Sequence, residues 1–526
     1  MLKYAGLFIR NFKIQMSFKK MKALFTIVFI FLGFVASAQK IVYSDVLKDD
    51  NRDISFEILG KVSSNYLVYK FVRWRHMLAT YSEDMKLISN ERLNFIPEKT
   101  FNVDFVVYPD YFIIIYQYQK NNTIWCNAVK MDGQGKMLSE PITLDSSRTN
   151  LMADKKIYST VFSEDKKHIL VYKMQRKNNE LTLVTKVYDP ELRLSDSARE
   201  LIPFDERKDV YSDLHVANNG SLIFAKEYKT GWRENITRLE IVIKEPQGKA
   251  FSVFQVPLQG KFIDEVKIKV DNLNKRYIVN SLFSKSKTGG IDGLFTTFIQ
   301  QGNYKLVRTA FNLFNDSLRS KMNSVSSFSN RFDNLFLRNM IVKKDGGFII
   351  TAEDYYTHTT GSNNIFRRYN SIYNSPYSSN YDYYLTSPYY QSLYRPYNSY
   401  AFAQRMKYFY DDILVIDVDS VLNLKWNTVI HKKQDDEEQD NFLSFGTFNA
   451  GGEIHFLFTN NRKKQLINNH SVSPWGEVKR YATLKSYEAG YEFMPKLSRQ
   501  VGFSQVIIPC LYRGSIAFAK VDFSES

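Results

Sequence analysis

Tyr111-Phe-Ile-Ile-Ile-Tyr116, preceded by Asp110, is the stretch on which the fold reading turns. It is a short apolar run rich in β-branched and aromatic residues, bounded by a turn former, and reads as a buried β-strand. The same pattern recurs at Asn65-Tyr-Leu-Val-Tyr-Lys-Phe-Val72, His168-Ile-Leu-Val-Tyr172 and Arg276-Tyr-Ile-Val-Asn280. Aromatic residues make up 15% of the chain, with 40 Phe and 35 Tyr, a composition that suits pleated, half-buried strands. Amphipathic helical windows are nearly absent, the best being Asp316 to Val325. The class is all-β.

Turn signals form two interleaved series. The first precedes an apolar strand and runs through Gly60, Asp110, Asp165, Gly220, Asn274, Gly346, Gly452 and Gly502. The second separates a strand from a more polar one, near Asp84, Gly133, Pro190, Gly248, Gly302, Asp419 and Gly476. Most successive members stand roughly 49 to 58 residues apart. Four short strands per period, each hairpin with its own turn chemistry, describe one blade of a β-propeller. Eight turns of the first kind against seven of the second leave the last unit one strand short. The N-terminal run Lys40 to Val46 has no unit of its own and can complete it, which would cover an exposed sheet edge. The expectation is a single eight-bladed propeller closed by the N-terminal strand, with seven blades, or tandem β-sandwich domains, as alternatives.

The periodicity breaks between Glu353 and Phe409. From Tyr355 to Tyr400 there are thirteen tyrosines, three prolines (Pro376, Pro388, Pro396), and neither Lys nor Glu. This Tyr/Ser/Asn-rich insertion, spanning about 355–409, is read as a long loop on one face of the domain. Tyrosine offers a large flat contact surface and a hydroxyl at low entropy cost, so the loop is the candidate binding element. Its candidate residues are Arg367, Arg368, Tyr383, Tyr384, Tyr389, Tyr390, Tyr394, Arg395 and Tyr397.

The first 38 residues read as a secretory signal peptide. Lys19, Lys20 and Lys22 precede an apolar run from Ala23 to Val35, and Ala36-Ser37-Ala38 supplies the small residues of a cleavage site. The run is shorter than the roughly 20 residues a membrane-spanning helix needs. Met21 stands where an ordinary signal peptide starts and marks the expected true start. The mature domain is then 39–526, or 526 − 38 = 488 residues, without a transmembrane segment. The net charge of +16 includes six basic residues and no acids in the leader, so the mature chain carries 16 − 6 = +10. A moderately basic exported protein favours acidic polysaccharide neighbours through attraction that salt screens.

Cys126 and Cys510 sit in apolar runs and read as two buried thiols rather than a disulfide. The seven histidines lack the paired spacing of a zinc site, and Asp435 to Asp440 lacks the alternating oxygen ligands and glycine of a calcium loop. That acidic run is expected to be a solvated connection. Gly289-Gly-Ile-Asp-Gly293 lacks the lysine of a phosphate loop, and no nucleophile elbow is present. Glu353-Asp354 follows an apolar strand, but adjacent strand residues point to opposite faces and would not converge as an acid/base pair. Phe71-Val-Arg-Trp-Arg75 alternates basic and aromatic residues, which a strand with one polar and one apolar face explains without nucleic acid. No catalytic residue, metal or cofactor is assigned.

Lys343-Lys-Asp-Gly-Gly-Phe-Ile-Ile-Thr-Ala-Glu353, Ile413 to Gln434 and Ser444-Phe445 resemble a group of uncharacterised secreted proteins of Bacteroidota, as does the leader ending Ala38-Gln39. The resemblance covers chiefly the C-terminal third. It implies export to the periplasm or outer-membrane periphery, with secretion as a further possibility, and carries no activity. The functional expectation is a non-catalytic binding or scaffold protein for a protein partner or acidic glycan. The alternatives are a polysaccharide-active enzyme, glycosidase or lyase, with its site at the propeller mouth, and a structural component of an export or surface complex.

Overall fold

The computed structural model describes residues 40–524 apart from 53, 150–156, 178, 206–207, 231–232, 249, 288, 324–333, 360–364, 367–405, 438–439, 461–462 and 486–489. The chain divides into two units, 1–40 with 522–526, and 41–521. The first lies almost entirely outside the described residues, and everything below concerns the second. Among the described residues no helix is long and apolar enough to cross a membrane.

The chain is all-β, and among the described residues the strands form seven antiparallel sheets built from consecutive up-and-down meanders. The first three meanders begin with strands Ser55–Val62, Thr100–Val107 and Tyr158–Phe162, and each is a separate four-stranded sheet. The fourth (first strand Asp209–Val216) and fifth (Lys267–Asp271) share one nine-stranded sheet, because Phe262–Ile263 pairs with both. The sixth and seventh begin at Leu335–Val342 and Gly446–Ala450. In the eighth, Tyr491–Phe493 and Arg499–Gln500 precede Gln505–Tyr512 and Ser515–Asp522, and the N-terminal strand Lys40–Tyr43 pairs with the last of these. Ser44 N donates to Phe518 O at 2.8 Å, and Phe518 N donates to Ser44 Oγ at 3.0 Å.

The first turn series falls between first and second strands, and the second between third and fourth. Gly60 departs from this. It sits inside Ser55–Val62 at a bulge, with φ +101°, while Ser63 and Ser64 make the turn. A bulge needs a residue tolerant of positive φ as much as a turn does, so glycine alone could not separate the two. The helix expected at Asp316 to Val325 is present as Asp316–Asn323.

Second strands bury both faces, one against each neighbouring meander. Leu222 and Phe224 pack with Tyr172 of the third, whereas Ile223 and Ala225 pack with Tyr277 and Val279 of the fifth. This is why these strands read as continuous apolar runs rather than as alternating ones. Equivalent clusters join the first meander to the second, the second to the third, the fifth to the sixth and the sixth to the seventh. Ile507, Ile516 and Phe518 of the eighth then pack against Phe56, Tyr66 and Tyr81 of the first.

Hydrogen bonds near the first hairpins follow the same order. Ser63 N donates to Pro109 O (2.6 Å), Tyr108 OH to Lys166 O (2.8 Å), Asp165 N to Asn218 Oδ1 (3.1 Å) and Asn218 N to Asn272 Oδ1 (3.0 Å). Arg276 Nη2 donates to Gly346 O, Asn339 Nδ2 to Thr447 Oγ1 (3.2 Å), Asn449 N to Gln500 Oε1 (3.1 Å) and Arg499 Nη1 to Ile58 O (2.6 Å). The eighth meander thus reaches back to the first. Fourth strands such as Leu87–Arg92, Leu194–Pro203 and Leu306–Leu313 are exposed or half-buried throughout.

Candidate functional site

The chemistry-bearing residues of this fold occupy a repeated position. Counting from the residue that opens the first hairpin ladder in each of the first six meanders (Asn65, Phe112, Ile169, Leu222, Arg276 and Phe348), the sixth residue is Lys70, Gln117, Met174, Glu227, Ser281 and Glu353. All six are buried, and five are polar. A buried polar group must find a partner, and most find it on a connection leading into a first strand. Lys70 Nζ pairs with Asp50 at 2.5 Å, Gln117 Oε1 accepts from Ile157 N and Tyr158 N, and Ser281 Oγ accepts from Asp264 N at 3.1 Å. These bonds fix the entry of the chain into the first, third and fifth meanders. The sequence signal was a polar residue at one offset inside an apolar run, but its partner lies on a distant loop.

At Glu353 this arrangement grows into an ion network. Its carboxylate meets Lys432 Nζ at 2.8 Å, Arg338 Nη2 at 2.9 Å and Ser444 Oγ at 2.7 Å, and is wholly buried. Burial opposes ionisation of Glu353, but the two cations and the hydroxyl outweigh it and hold the carboxyl below the usual range. Burial pulls Lys432 the other way, below its usual value, with Glu353 opposing. At 2.8 Å the ionised pair is the state the geometry favours. Lys432 Nζ also donates to Tyr410 O and Gln434 Oε1, both at 3.0 Å. Tyr410 OH donates to Asp440 Oδ2 at 2.7 Å, and Lys496 Nζ reaches the same oxygen at 2.7 Å.

The acidic run Asp435 to Asp440 is therefore not a merely solvated connection. Asp435 pairs with Lys407, Asp436 with Lys464 and Asp440 with Lys496. Burial raises the Tyr410 phenol far above its usual value and the Asp440 charge adds to this, so it is a neutral donor. Carboxylates answered in this way are poor proton donors or bases near neutral pH. Glu353 and Asp354 are both buried, and the register of Phe348–Thr359 against Met406–Val418 shifts between Glu353 and Tyr355, at Asp354.

Glu227 is the exception. Its Oε1 accepts from Ser212 Oγ, while its buried Oε2 has no hydrogen-bond partner among the described residues. Burial, with Glu265 and Asp213 nearby, raises its carboxyl to about 7 against the opposing pull of Lys229 and Ser212. Asp213 sits at a ladder irregularity with φ +53°, 3.1 Å from His215 Nε2, and accepts from Ile268 N. Burial is outweighed there by His215 and Lys267, so Asp213 stays below the usual range. Lys267 pairs with Glu265 at 2.6 Å. Two carboxyls driven apart in this way, one raised toward neutrality and one held ionised, are a pattern seen at proton-transfer sites. Sequence reasoning missed this group because its members come from three strands and a connection.

Among the described residues no group of three or more His, Cys, Asp or Glu is placed to hold a metal ion. Cys126 and Cys510 are buried thiols in different sheets and form no disulfide. Arg367, Arg368, Tyr383, Tyr384, Tyr389, Tyr390, Tyr394, Arg395 and Tyr397 lie outside the described residues. The strands that carry the insertion, Phe348–Thr359 and Met406–Val418, are long, and Tyr356 stacks on Phe409 at their far end (4.5 Å between centroids, 7° between planes).

No protein-family profile matches the sequence, and no curated protein does. Solved structures give distant likenesses. A prolyl endopeptidase is 8% identical at a TM-score of 0.40, covering 88% of this chain and 55% of its own. The polysaccharide lyase Uly1 is 8% identical at 0.37, with 80% and 89% covered, and the β-propeller domain of the Trilobed protease from Pyrococcus furiosus is 9% identical at 0.34, with 81% and 96% covered. The chain spans just over half the length of the endopeptidase.

Proposed function

We propose that this chain is an exported cell-envelope β-propeller of eight blades, closed by its N-terminal strand, that serves as a non-catalytic binding or scaffold protein for a protein partner or an acidic glycan. The blade reading is supported by consecutive meanders whose first-hairpin hydrogen bonds run from the first to the eighth and back to the first, with the cores of the eighth and the first packed together. Its place is the periplasm or outer-membrane periphery, as the leader implies. The observation that carries the non-catalytic reading is the Glu353 network, where the fold's own cations and hydroxyls answer the carboxylates. Such groups lock blades together rather than turn over a substrate. The Tyr355 to Tyr400 insertion is the leading contact element. Affinity capture of the tagged mature protein from native envelope extracts, compared with a variant lacking residues 358 to 400, tests this. A partner or glycan retained only by the intact protein supports the reading, and equal recovery refutes the role of the insertion.

The second reading, a polysaccharide-active enzyme, is favoured by Glu227 beside Asp213. There Glu227 would donate a proton and Asp213 would accept one. Turnover of an acidic polysaccharide by the wild type, lost in Glu227→Gln, would establish it, and absence of turnover would leave the binding role.

A further inference from the structure

The turn between the second and third strands of the first meander is Arg73-Trp74, a two-residue hairpin in which Val72 pairs with Arg75. Both central residues have positive φ, 48° and 67°, the type I′ pattern that favours Asn or Gly. The eighth meander builds the corresponding turn from Arg513-Gly514, with φ 48° and 80°. The two turns share Arg at the first place and differ at the second, where the eighth has the glycine the geometry favours and the first has a tryptophan 65% exposed. Its ring lies edge-on to Phe71 with 6.2 Å between centroids, and with most of its surface in solvent a bulky residue at positive φ gains little folding energy, so the reason for it lies in what the exposed face meets.

The segment leading into the first meander runs between these turns. Asp49 lies 3.6 Å from Arg73, and Arg52 N donates to Gly514 O at 2.9 Å. Among the described residues, the charged ones exposed on this segment and the two turns are the cations Lys48, Arg52, Arg73, Arg75 and Arg513 and the acids Asp45, which accepts from Leu87 N at 2.9 Å, and Asp49. Arg513 also lies over the Tyr512 ring at 5.1 Å.

We propose that this corner is a binding site for an acidic glycan, with a pyranose ring stacked on Trp74 and uronate or sulfate groups held by the surrounding guanidinium groups and Lys48. The aliphatic face of a sugar stacks on a single exposed indole, and Arg pairs with planar carboxylates through its fork of donors. Single-stranded nucleic acid, which shares the charge requirement, is bound over successive aromatic platforms, and of the aromatic rings Phe71, Trp74 and Tyr512 beside these turns Trp74 alone is exposed. The proposal rests on the binding reading above but locates the glycan away from the insertion.

Affinity electrophoresis of the mature protein through polygalacturonate and through neutral dextran tests it, with the wild type, Trp74→Gly, Arg73→Ala/Arg75→Ala and the variant lacking 358–400. The expected result is salt-sensitive retardation by polygalacturonate alone, retained on deletion of the insertion and weakened about tenfold or more by Trp74→Gly. Glycine fits the turn, so loss of binding in that variant is not loss of folding, and the double Arg variant gives an independent reading. Retardation unchanged by both corner variants, or no retardation of the wild type, overturns the proposal. Binding that vanishes with the insertion but survives Trp74→Gly overturns it while upholding the general binding role. Tighter binding of single-stranded DNA than of polygalacturonate overturns the choice of ligand.

Discussion

Replacing Glu227 with Gln should make this protein more stable at alkaline pH relative to its stability at acid pH. Glu227 is 1% exposed, and its carboxyl is raised from an ordinary 4.5 to about 7. Below 4.5 both folded and unfolded chains hold the proton. Between 4.5 and about 7 the folded chain keeps a proton that the unfolded chain has released, so stability falls as pH rises through that window. A raised value of this size corresponds to at most about 3 kcal/mol at pH above 7. Glutamine has the same shape and can accept the Ser212 hydrogen bond, but it cannot ionise. Any cost of its buried amide is independent of pH and shifts the whole curve, so the slope is the diagnostic quantity. Urea unfolding of both proteins from about pH 4 to 8 should give curves that diverge by up to about 3 kcal/mol toward high pH. Parallel curves would refute the buried, protonated Glu227.

Lys432→Met should leave the buried Glu353 carboxylate under-compensated, lowering stability by about 3 kcal/mol at pH 7 and the urea midpoint with it; a loss below about 1 kcal/mol would contradict the network. Trp74→Gly should raise stability by up to about 1 kcal/mol, as relief of the positive φ outweighs the flexibility glycine adds to the unfolded chain. His76, lowered to about 4 chiefly by burial against the opposing Pro97 carbonyl, should show an NMR titration midpoint near that value. Its folded-state value lies below the unfolded one, so its contribution is lost as pH falls from 6.5 to about 4, opposite in sign to Glu227. Burial raises the thiols of Cys126 and Cys510, which should resist alkylation until the protein unfolds.

Turns were the legible part of this sequence because their chemistry is local. Asp110, Gly220 and Gly346 mark first hairpins, and Gly133, Gly302 and Gly476 mark the hairpins before the fourth strands; Gly220, Gly302, Gly346 and Gly476 have the positive φ that restricts the residue choice, and at Gly133 the Val62 carbonyl leaves no room for a side chain. Gly60 misled for the same reason, because a bulge makes the same demand. The joining of the fourth and fifth meanders by Phe262–Ile263 left no mark beyond two apolar residues. The polar groups were half legible. Lys70, Gln117, Glu227 and Glu353 stand at one offset from their turns, but whether each is answered depends on residues such as Asp50, Tyr158 and Ser444, which no periodicity connects to them. Trp74 read as one residue of an alternating strand. Only its backbone conformation sets it apart.

The central structural claim is closure of the last meander by the N-terminal strand. Hydrogen exchange of the mature protein against a variant beginning at Asp45 tests it most directly. The account predicts that removing the strand exposes the amides of Ser515 to Asp522 to rapid exchange, lowers the melting temperature, and that a peptide spanning Gln39 to Val46 added in trans restores protection. Unchanged protection of Ser515 to Asp522 in the shortened protein would contradict closure.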